Sequence, residues 1–351
     1  MRLVSINSLK PDMELAEPIK SNGRRLLSAG CSNLNRYKDR LENLGIHYVY
    51  IDDEISKDIE VNSVINNKTK DESKKMIKET FKNVSIGKKM DSQAVKDGVT
   101  NMVKDIFNND EVLANLIDLK NDNDYTFGHS INVGAISLVI GKALGYNRKK
   151  LIKLGTGACL HDIGKTKIPD EILNKPGKLT DKEYEIMKQH PKLGYDILKK
   201  YPNTTATSLA AVVGHHEKVN GKGYPQNKEG NDIYVYGRIV AIADVFDALT
   251  SDRCYRDRWP VHKALDLIIS EAGEHFDSKL VETFIRNVAA YPNGTIVQLS
   301  NGYKAIVKKQ NKNFPQRPIV KILEDNNGNK KSKEINLMNA LDITIVDTKN
   351  V

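Results

Sequence analysis

The chain is 351 residues long, 39% hydrophobic and 28% charged, with a formal net charge of +9. That length accommodates two or three domains, each with its own core, and the balance of apolar to charged residues excludes a disordered chain. No apolar run approaches the ~20 residues that a membrane-spanning helix needs; the best stretch, Ile131 to Gly145, is interrupted by Asn132 and Lys142.

The N-terminus, Met1-Arg2-Leu3-Val4, reads as a strand and lacks the apolar core of a signal peptide. Leu3 to Ile6 is a predicted strand, and Gly23 to Gly30 holds a short apolar stretch between turn glycines. Ser32 or Asn33 is placed to cap a helix running through Leu44, with Leu34, Tyr37, Leu41 and Leu44 at helical spacing and Gly45 just beyond. Ile46 to Ile51 reads as a strand rich in β-branched and aromatic residues. Residues 1–52 thus form an expected small α/β module without a catalytic signature, and its lone His47 is expected to be structural or surface-exposed. Residues 53–91 are lysine-rich and read as a charged connector with short helical patterns, such as Met76, Ile77 and Phe81.

From Ser92 the periodicity strengthens. Val95, Val99, Met102, Val103 and Ile106 lie on one helical stripe, and Val112 to Leu119 predicts a second helix. Thr180-Asp181-Lys182-Glu183 is a capping box, Arg238 to Thr250 and Val261 to Ala272 are apolar-periodic, and the prolines from Pro169 to Pro260 fall between helical segments. Residues 92–290 are therefore expected to be a mainly α helical bundle. Residues 291–351 change character: Thr295 to Leu299 and Tyr303 to Val307 flank Ser300-Asn301-Gly302, a hairpin signal. Ile319 to Leu323, Ile335 to Leu337 and Ile343 to Val346 complete a small β-rich module, a structural or partner-binding appendage. Cys31, Cys159 and Cys254 are far apart and in no metal-binding spacing, which reads as free thiols in a reducing cytoplasm. The positive charge permits an anionic ligand, but lysines solvating surface helices account for most of it.

Five of the eight histidines, His129, His161, His190, His215 and His216, fall within one stretch of the helical domain, and the other three are scattered. A lone buried histidine is more often a core residue with one hydrogen bond than a ligand. Adjacent His215-His216 cannot both face one core from a regular element, and His161 is followed at once by Asp162. Imidazole and carboxylate together suit Mn, Fe, Co, Ni or Zn, and a carboxylate can bridge two ions. Lys165 lies one turn beyond His161, where its ammonium could reach a phosphate oxygen. Asp244 sits among apolar neighbours, where an unpaired charge is costly and a metal partner removes the objection; Asp247, on the same face, fits an outer partner that orients a ligand. Arg253 and Arg256 offer forked donors matched to phosphate, with surface solvation almost as good an explanation.

In this order, His129, His161-Asp162-x-Gly-Lys165, His190, His215-His216-Glu217, Gly223-Tyr224-Pro225 and Asp244-x-x-Asp247-Ala-Leu-Thr, the chain resembles the HD-GYP group of HD-domain metal phosphohydrolases. The match covers the helical domain, about half the chain. More loosely, the N-terminal module resembles one found ahead of this domain in bacterial proteins. The resemblance implies an HD-type bundle and a cyclic-di-GMP phosphodiesterase holding two or three ions, commonly iron or manganese. Carried over by position, His161, Asp162, His190, His215, His216 and Asp244 are the implied ligands, with Asp162 bridging, while His129 matches a position that binds a further ion in some members. Some members also carry a glutamate one turn earlier; Tyr125 stands there, which favours two ions over three. Lys165, Arg253 and Arg256 become implied phosphate contacts, and Gly223, Tyr224 and Pro225 the loop on the substrate side. Ile233-Tyr234 stands where members often have Ile-Pro, a departure that touches no ligand.

Two ions roughly 3.5–4 Å apart clamp a phosphodiester and lower the pKa of a bridging water from about 15.7 to about 7. Asp162 and Lys165 are thus the implied catalytic residues, a metal-bridging hydroxide the implied nucleophile, and linear pGpG, cut further to GMP, the expected product. The expected partner is a cyclic dinucleotide, with no DNA or RNA polymer and no membrane span, and with the flanking modules as candidate surfaces for protein partners or a homodimer. Two alternatives stand beside this reading: a phosphodiesterase for another cyclic dinucleotide such as cyclic GMP-AMP, and a non-catalytic dinucleotide receptor or scaffold. A degenerate receptor would be expected to lose ligands, and all six of the two-ion set are present.

Overall fold

A computed structural model describes residues 1–21, 24–44, 46–61, 63–108, 125–251, 259–312 and 314–348. At the N-terminus, period-two burial makes a small sheet. β1 (Arg2–Ser5), β2 (Glu14–Leu15), the hairpin β3 (Ile19–Ser21) and β4 (Arg24–Leu27), α1 (Lys38–Asn43) and β5 (Tyr48–Asp52) follow in order, with β5 antiparallel between β1 and β2. Val4, Ile6, Leu15, Leu34, Leu41, Val49 and Ile51 form its core. The helix expected from Ser32 or Asn33 is split. Asn33 adopts a left-handed backbone (φ 53°) and its side chain caps nothing, so a 3-10 turn over Leu34–Tyr37 precedes α1. Gly45 lies outside the described residues.

The lysine-rich stretch read as a connector contains α2 (Asn67–Ser85). Asn66 starts it by accepting a hydrogen bond from the Thr69 amide at 2.8 Å. Lys68, Lys75, Lys78 and Lys82 are exposed, while Ile77, Phe81 and Val84 are buried in the same apolar cluster as the helices that follow. The segment is therefore packed structure over much of its length. The five apolar residues of the predicted stripe are all buried on α3 (Ser92–Asn108). The helix predicted over Val112 to Leu119 lies outside the described residues.

The centre of the bundle is α4 (Tyr125–Ala143), buried all round from His129 to Gly141 as a central helix should be. Around it run α5 (Arg148–Cys159), α6 (Asp170–Leu173), α7 (Asp181–Met187), α8 (His190–Leu198), α9 (Ala206–Gly214), α10 (Val235–Thr250), α11 (Val261–Ser270) and α12 (Ser278–Asn287). The Thr180–Glu183 capping box is formed in both directions. The helix predicted from Arg238 begins earlier, at Val235, after Tyr234. α4 packs on α5 and α10, and α9 packs on α5, α8 and α10. Among the described residues no helix is long and apolar enough to cross a membrane.

The C-terminal residues form an antiparallel five-stranded sheet of β6 (Ile296–Leu299), β7 (Lys304–Lys309), β8 (Ile319–Glu324), β9 (Glu334–Asn336) and β10 (Ile345–Thr348), in the order β10-β6-β7-β8-β9. Val297, Leu299, Ala305, Val307, Val320, Ile322 and Leu337 form its core. Ile296 and Ile306 turn the other way and pack on Ile59, next to Asp58, which pairs with Lys308 and Lys321.

Candidate metal centre

Three histidines reach the centre by the same local device. His161 follows the end of α5, His190 comes three residues after the last residue of α7, and His215 ends α9. Each ring donates Nδ1–H to the carbonyl three residues back: His161 to Ala158 at 2.7 Å, His190 to Met187 at 2.8 Å and His215 to Val212 at 2.7 Å. These carbonyls belong to terminal helical turns, where C=O groups lack an intrahelical partner. A carbonyl only accepts, so Nδ1 carries the proton and Nε2 is left with a lone pair facing the interior, the form a metal ion requires.

Asp162 stands among those Nε2 atoms. Its Oδ1 lies 3.3 Å from His190 Nε2 and 3.9 Å from His215 Nε2. Its Oδ2 lies 3.4 Å from His161 Nε2 and 3.8 Å from His129 Nε2, and accepts a hydrogen bond from Lys165 Nζ at 2.6 Å. Asp244 on α10 closes the other side, with Oδ1 3.1 Å from His129 Nε2 and 3.9 Å from His161 Nε2. The His216 ring lies 4.2 Å from the His215 ring and 5.0 Å from the His190 ring. Three sets of donors are each close enough to share a cation: His190, His215 and His216; His129, His161 and Asp162; and His161, His215 and Asp244. Buried polar atoms almost always find a partner, yet His161 Nε2 and Asp162 Oδ1 are buried with no hydrogen bond. Cations held on the two sides of Asp162 would satisfy both, so the residues present fit a metal site.

Electrostatics point the same way. Burial pushes His190 down to about 4 and His216 to about 3, against the pull of Asp162 and Asp244, and holds His215 well below its ordinary value. These are neutral imidazoles at pH 7. Burial opposes ionisation of Asp162 and Asp244, but Lys165 and His161 beside the first, and His129 beside the second, hold both well below the usual carboxylate range. His129 is the exception among the histidines. Burial works against its charge, but hydrogen bonds to Asp244 and Asp247 outweigh it and raise the group to about 10.

Backbone geometry explains the glycine of His161-Asp162-Ile163-Gly164. A Cβ on Gly164 would lie 1.9 Å from the His190 carbonyl oxygen, so only glycine lets the turn after Asp162 meet the start of α8. Glycine is equally required at 223, where a Cβ would sit 2.3 Å from the Lys218 nitrogen and 2.4 Å from Glu217 Cα. The buried Glu217 carboxylate accepts from the backbone amides of Gln226 at 2.6 Å and Lys228 at 3.1 Å. Both its oxygens are engaged by the loop, which it pins. The loop lays the Tyr224 ring on His216, with centroids 4.7 Å apart and planes 28° from parallel. Pro225 lines a cavity of about 600 Å³ with Tyr195, Leu209 and Val213.

The structure thus brings together His129, His161, Asp162, Lys165, His190, His215, His216, Tyr224 and Asp244. Arg253 and Arg256 lie outside the described residues. Lys165 meets Asp162 directly, and Asp247 meets His129. Sequence reasoning assigned nothing to Glu217 or to Asn132, which hydrogen-bonds Asp247 at 2.9 Å. Glu217 was signalled by its place after His215-His216, whereas Asn132 carried no signal beyond a polar residue in an apolar helix.

Comparison with known proteins adds to this geometry. Residues 111–280 match the HD domain family, and residues 296–350 match a KOW domain associated with HD domain. A cyclic di-GMP phosphodiesterase of Pseudomonas aeruginosa is 33% identical over 242 residues, covering 69% of this chain and 58% of the relative. A 3′3′-cGAMP-specific phosphodiesterase of Vibrio cholerae is 46% identical over 131 residues, covering 36% of this chain and 25% of the relative. The chain therefore spans less than two thirds of the length of either. In fold, an HDG"Y"P protein from Bdellovibrio bacteriovorus superposes with a TM-score of 0.53 at 20% identity, covering 80% of this chain and 97% of that one.

Proposed function

The chain belongs to the HD domain family through residues 111–280 and carries the motif set of its HD-GYP group, and on that premise we propose that it hydrolyses cyclic-di-GMP to linear pGpG and onward to GMP. One observation carries the proposal: the two oxygens of Asp162 face different histidines, Oδ1 toward His190 and His215 and Oδ2 toward His129 and His161. A carboxylate with ligands on both sides is built to bridge two cations. His161, Asp162, His190, His215, His216 and Asp244 would hold the ions, with His129 alongside. Divalent ions bound there supply Lewis acidity and make water nucleophilic at neutral pH.

The rest is the work of the protein's own groups. Lys165, 30% exposed at the edge of the centre, offers an ammonium to charge growing on the phosphoryl oxygens. Arg253 and Arg256 remain the proposed phosphate forks, and Gly223, Tyr224 and Pro225 the substrate-side loop. Helix-end hydrogen bonds keep His161, His190 and His215 in the ligand tautomer before any substrate arrives, so little reorganisation accompanies the reaction.

An imidazole and carboxylate donor set without thiolate suits iron or manganese, and we take these as the metals. The free thiols of Cys31 and Cys159 favour a cytoplasmic setting. We take residues 92–290 as the catalytic unit, with α2 of the 53–91 segment packed into the same core, and 1–52 and 291–351 as its flanking modules; separate apolar clusters at the two ends support that division. The Vibrio cholerae relative supports a second reading, a mixed cyclic dinucleotide as substrate. The decisive experiment measures metal content and turnover on a panel of cyclic dinucleotides for the wild type and Asp162→Ala. The variant should lose bound metal and all hydrolysis while keeping its helicity. Normal turnover by Asp162→Ala would sink the assignment.

A further inference from the structure

Tyr184 is 47% exposed on a helix, α7, that buries none of its seven residues. The helix is nevertheless anchored at its start: Thr180 and Glu183 complete the capping box, and Lys175 Nζ meets the Glu183 carboxylate at 2.6 and 2.8 Å. A single exposed ring is ordinary on a protein surface, so a function for this one has to come from what stands beside it.

Its surroundings supply one. The Tyr184 ring stands edge-on to Tyr224, with centroids 6.5 Å apart and planes at 78°, and Tyr224 lies stacked on His216. A ladder of rings therefore runs outward from the candidate metal centre, from imidazole to phenol to exposed phenol. Lys188 Nζ lies 5.5 Å from the Tyr184 ring centre, adding a cation beside the outermost ring.

A cyclic dinucleotide with one phosphodiester at the metal centre has to extend a purine base away from it. We propose that Tyr184 is a substrate-binding residue that stacks on one purine of the cyclic dinucleotide. This inference rests on the phosphodiesterase reading above. Stacking uses the face of a base and ignores its hydrogen-bonding edge, so Tyr184 adds affinity for guanine and adenine alike. It sets the class of substrate, a purine dinucleotide against a bare phosphodiester.

The test uses the metal-loaded full chain, comparing wild type, Tyr184→Ala and Tyr184→Phe. Loss of one stacked base should raise KM for cyclic-di-GMP about five-fold or more in Tyr184→Ala. Metal content and kcat should hold, because binding lost equally from ground and transition states moves KM alone. Tyr184→Phe keeps the ring and should behave as wild type. An unchanged KM in Tyr184→Ala, or an equal loss in both variants, overturns the inference. Calorimetry with GMP and with inorganic phosphate separates this from the parent reading. GMP should bind more tightly than phosphate in the wild type, and Tyr184→Ala should lose that advantage. Should the wild type turn over no cyclic dinucleotide, the phosphodiesterase reading fails, yet a GMP advantage lost in Tyr184→Ala would still support stacking. A GMP advantage that is absent in the wild type, or intact in Tyr184→Ala, overturns stacking by itself.

Discussion

Asp247 Oδ2 accepts a hydrogen bond from His129 Nδ1 at 2.7 Å, and that bond aims His129 Nε2 at Asp244, 3.1 Å away. Asp247 is fully buried, and its other oxygen is held by Asn132 Nδ2 at 2.9 Å and Ser251 Oγ at 3.2 Å. Two adjacent helices, α4 and α10, thereby fix the orientation of one imidazole through a carboxylate that is not itself in a donor set.

Replacing Asp247 with Asn keeps the shape but removes the charge and one acceptor. Outer partners of ligating histidines typically govern metal affinity by about 10–100-fold. Asp247→Asn should weaken metal binding by about that factor while far-ultraviolet circular dichroism stays unchanged. Titration of the apoprotein with manganese reads the outcome. Wild-type affinity would mean that His129 needs no such guide.

Gly164 predicts a steeper failure. A Cβ there meets the His190 carbonyl at 1.9 Å, and the clash is with backbone, which cannot rotate aside. Gly164→Ala should destabilise the helical domain by about 1–3 kcal/mol, the usual cost of overpacking, or more. It should also cost metal, because the turn it forces apart carries Asp162 and abuts His190. Thermal melts and metal analysis on the same sample would show both losses together; a lowered melting temperature with full metal content would contradict the coupling.

Most of the candidate ligands were legible because a neighbour announces them: aspartate after His161, histidine after His215, an apolar run around Asp244; His129 and His190 carry no such sign. What joins the ligands was not legible. His129 and Asp247 are 118 residues apart, and nothing in either segment names the other. The shared use of helix-end carbonyls by His161, His190 and His215 depends on where helices stop, which periodicity locates only loosely. The packing of α2 was hidden by its lysines, whose density masks Ile77, Phe81 and Val84 at helical spacing. At the N-terminus Asn33 had the right chemistry for a cap and the wrong backbone, and its left-handed φ took it out of that role.

Glu217 separates loop from metal. Its carboxylate holds two amides of the loop that carries Tyr224. In Glu217→Gln one of those part-buried amides loses its acceptor, a cost of about 0.5–1.5 kcal/mol borne by the loop. Metal content should stay at the wild-type level while KM for the cyclic dinucleotide rises. Loss of metal from Glu217→Gln would instead make Glu217 part of the ligand set.

Asp58 gives the contact between the residue 55–60 segment and the C-terminal sheet a pH dependence. Its Oδ1 accepts from Lys321 Nζ at 2.9 Å and its Oδ2 lies 3.1 Å from Lys308 Nζ. The hydrogen bond from Lys321, opposed by slight desolvation and reinforced by Lys308, lowers Asp58 to about 2. A carboxylate lowered in the folded state stabilises the fold above its unfolded value, about 3.9, and that stabilisation is lost as pH falls through about 2. The pairs are part-exposed, so each contributes roughly 0.2–1 kcal/mol, less in high salt. Asp58→Asn should therefore melt slightly below wild type at pH 7 and pH 5, with a gap that narrows at pH 3 and in 1 M salt. The apolar contact of Ile59 with Ile296 and Ile306 is common to both proteins and cancels from the comparison. A gap of the same size at pH 5 and pH 3 would remove the charge from the explanation and leave packing alone to hold the sheet in place.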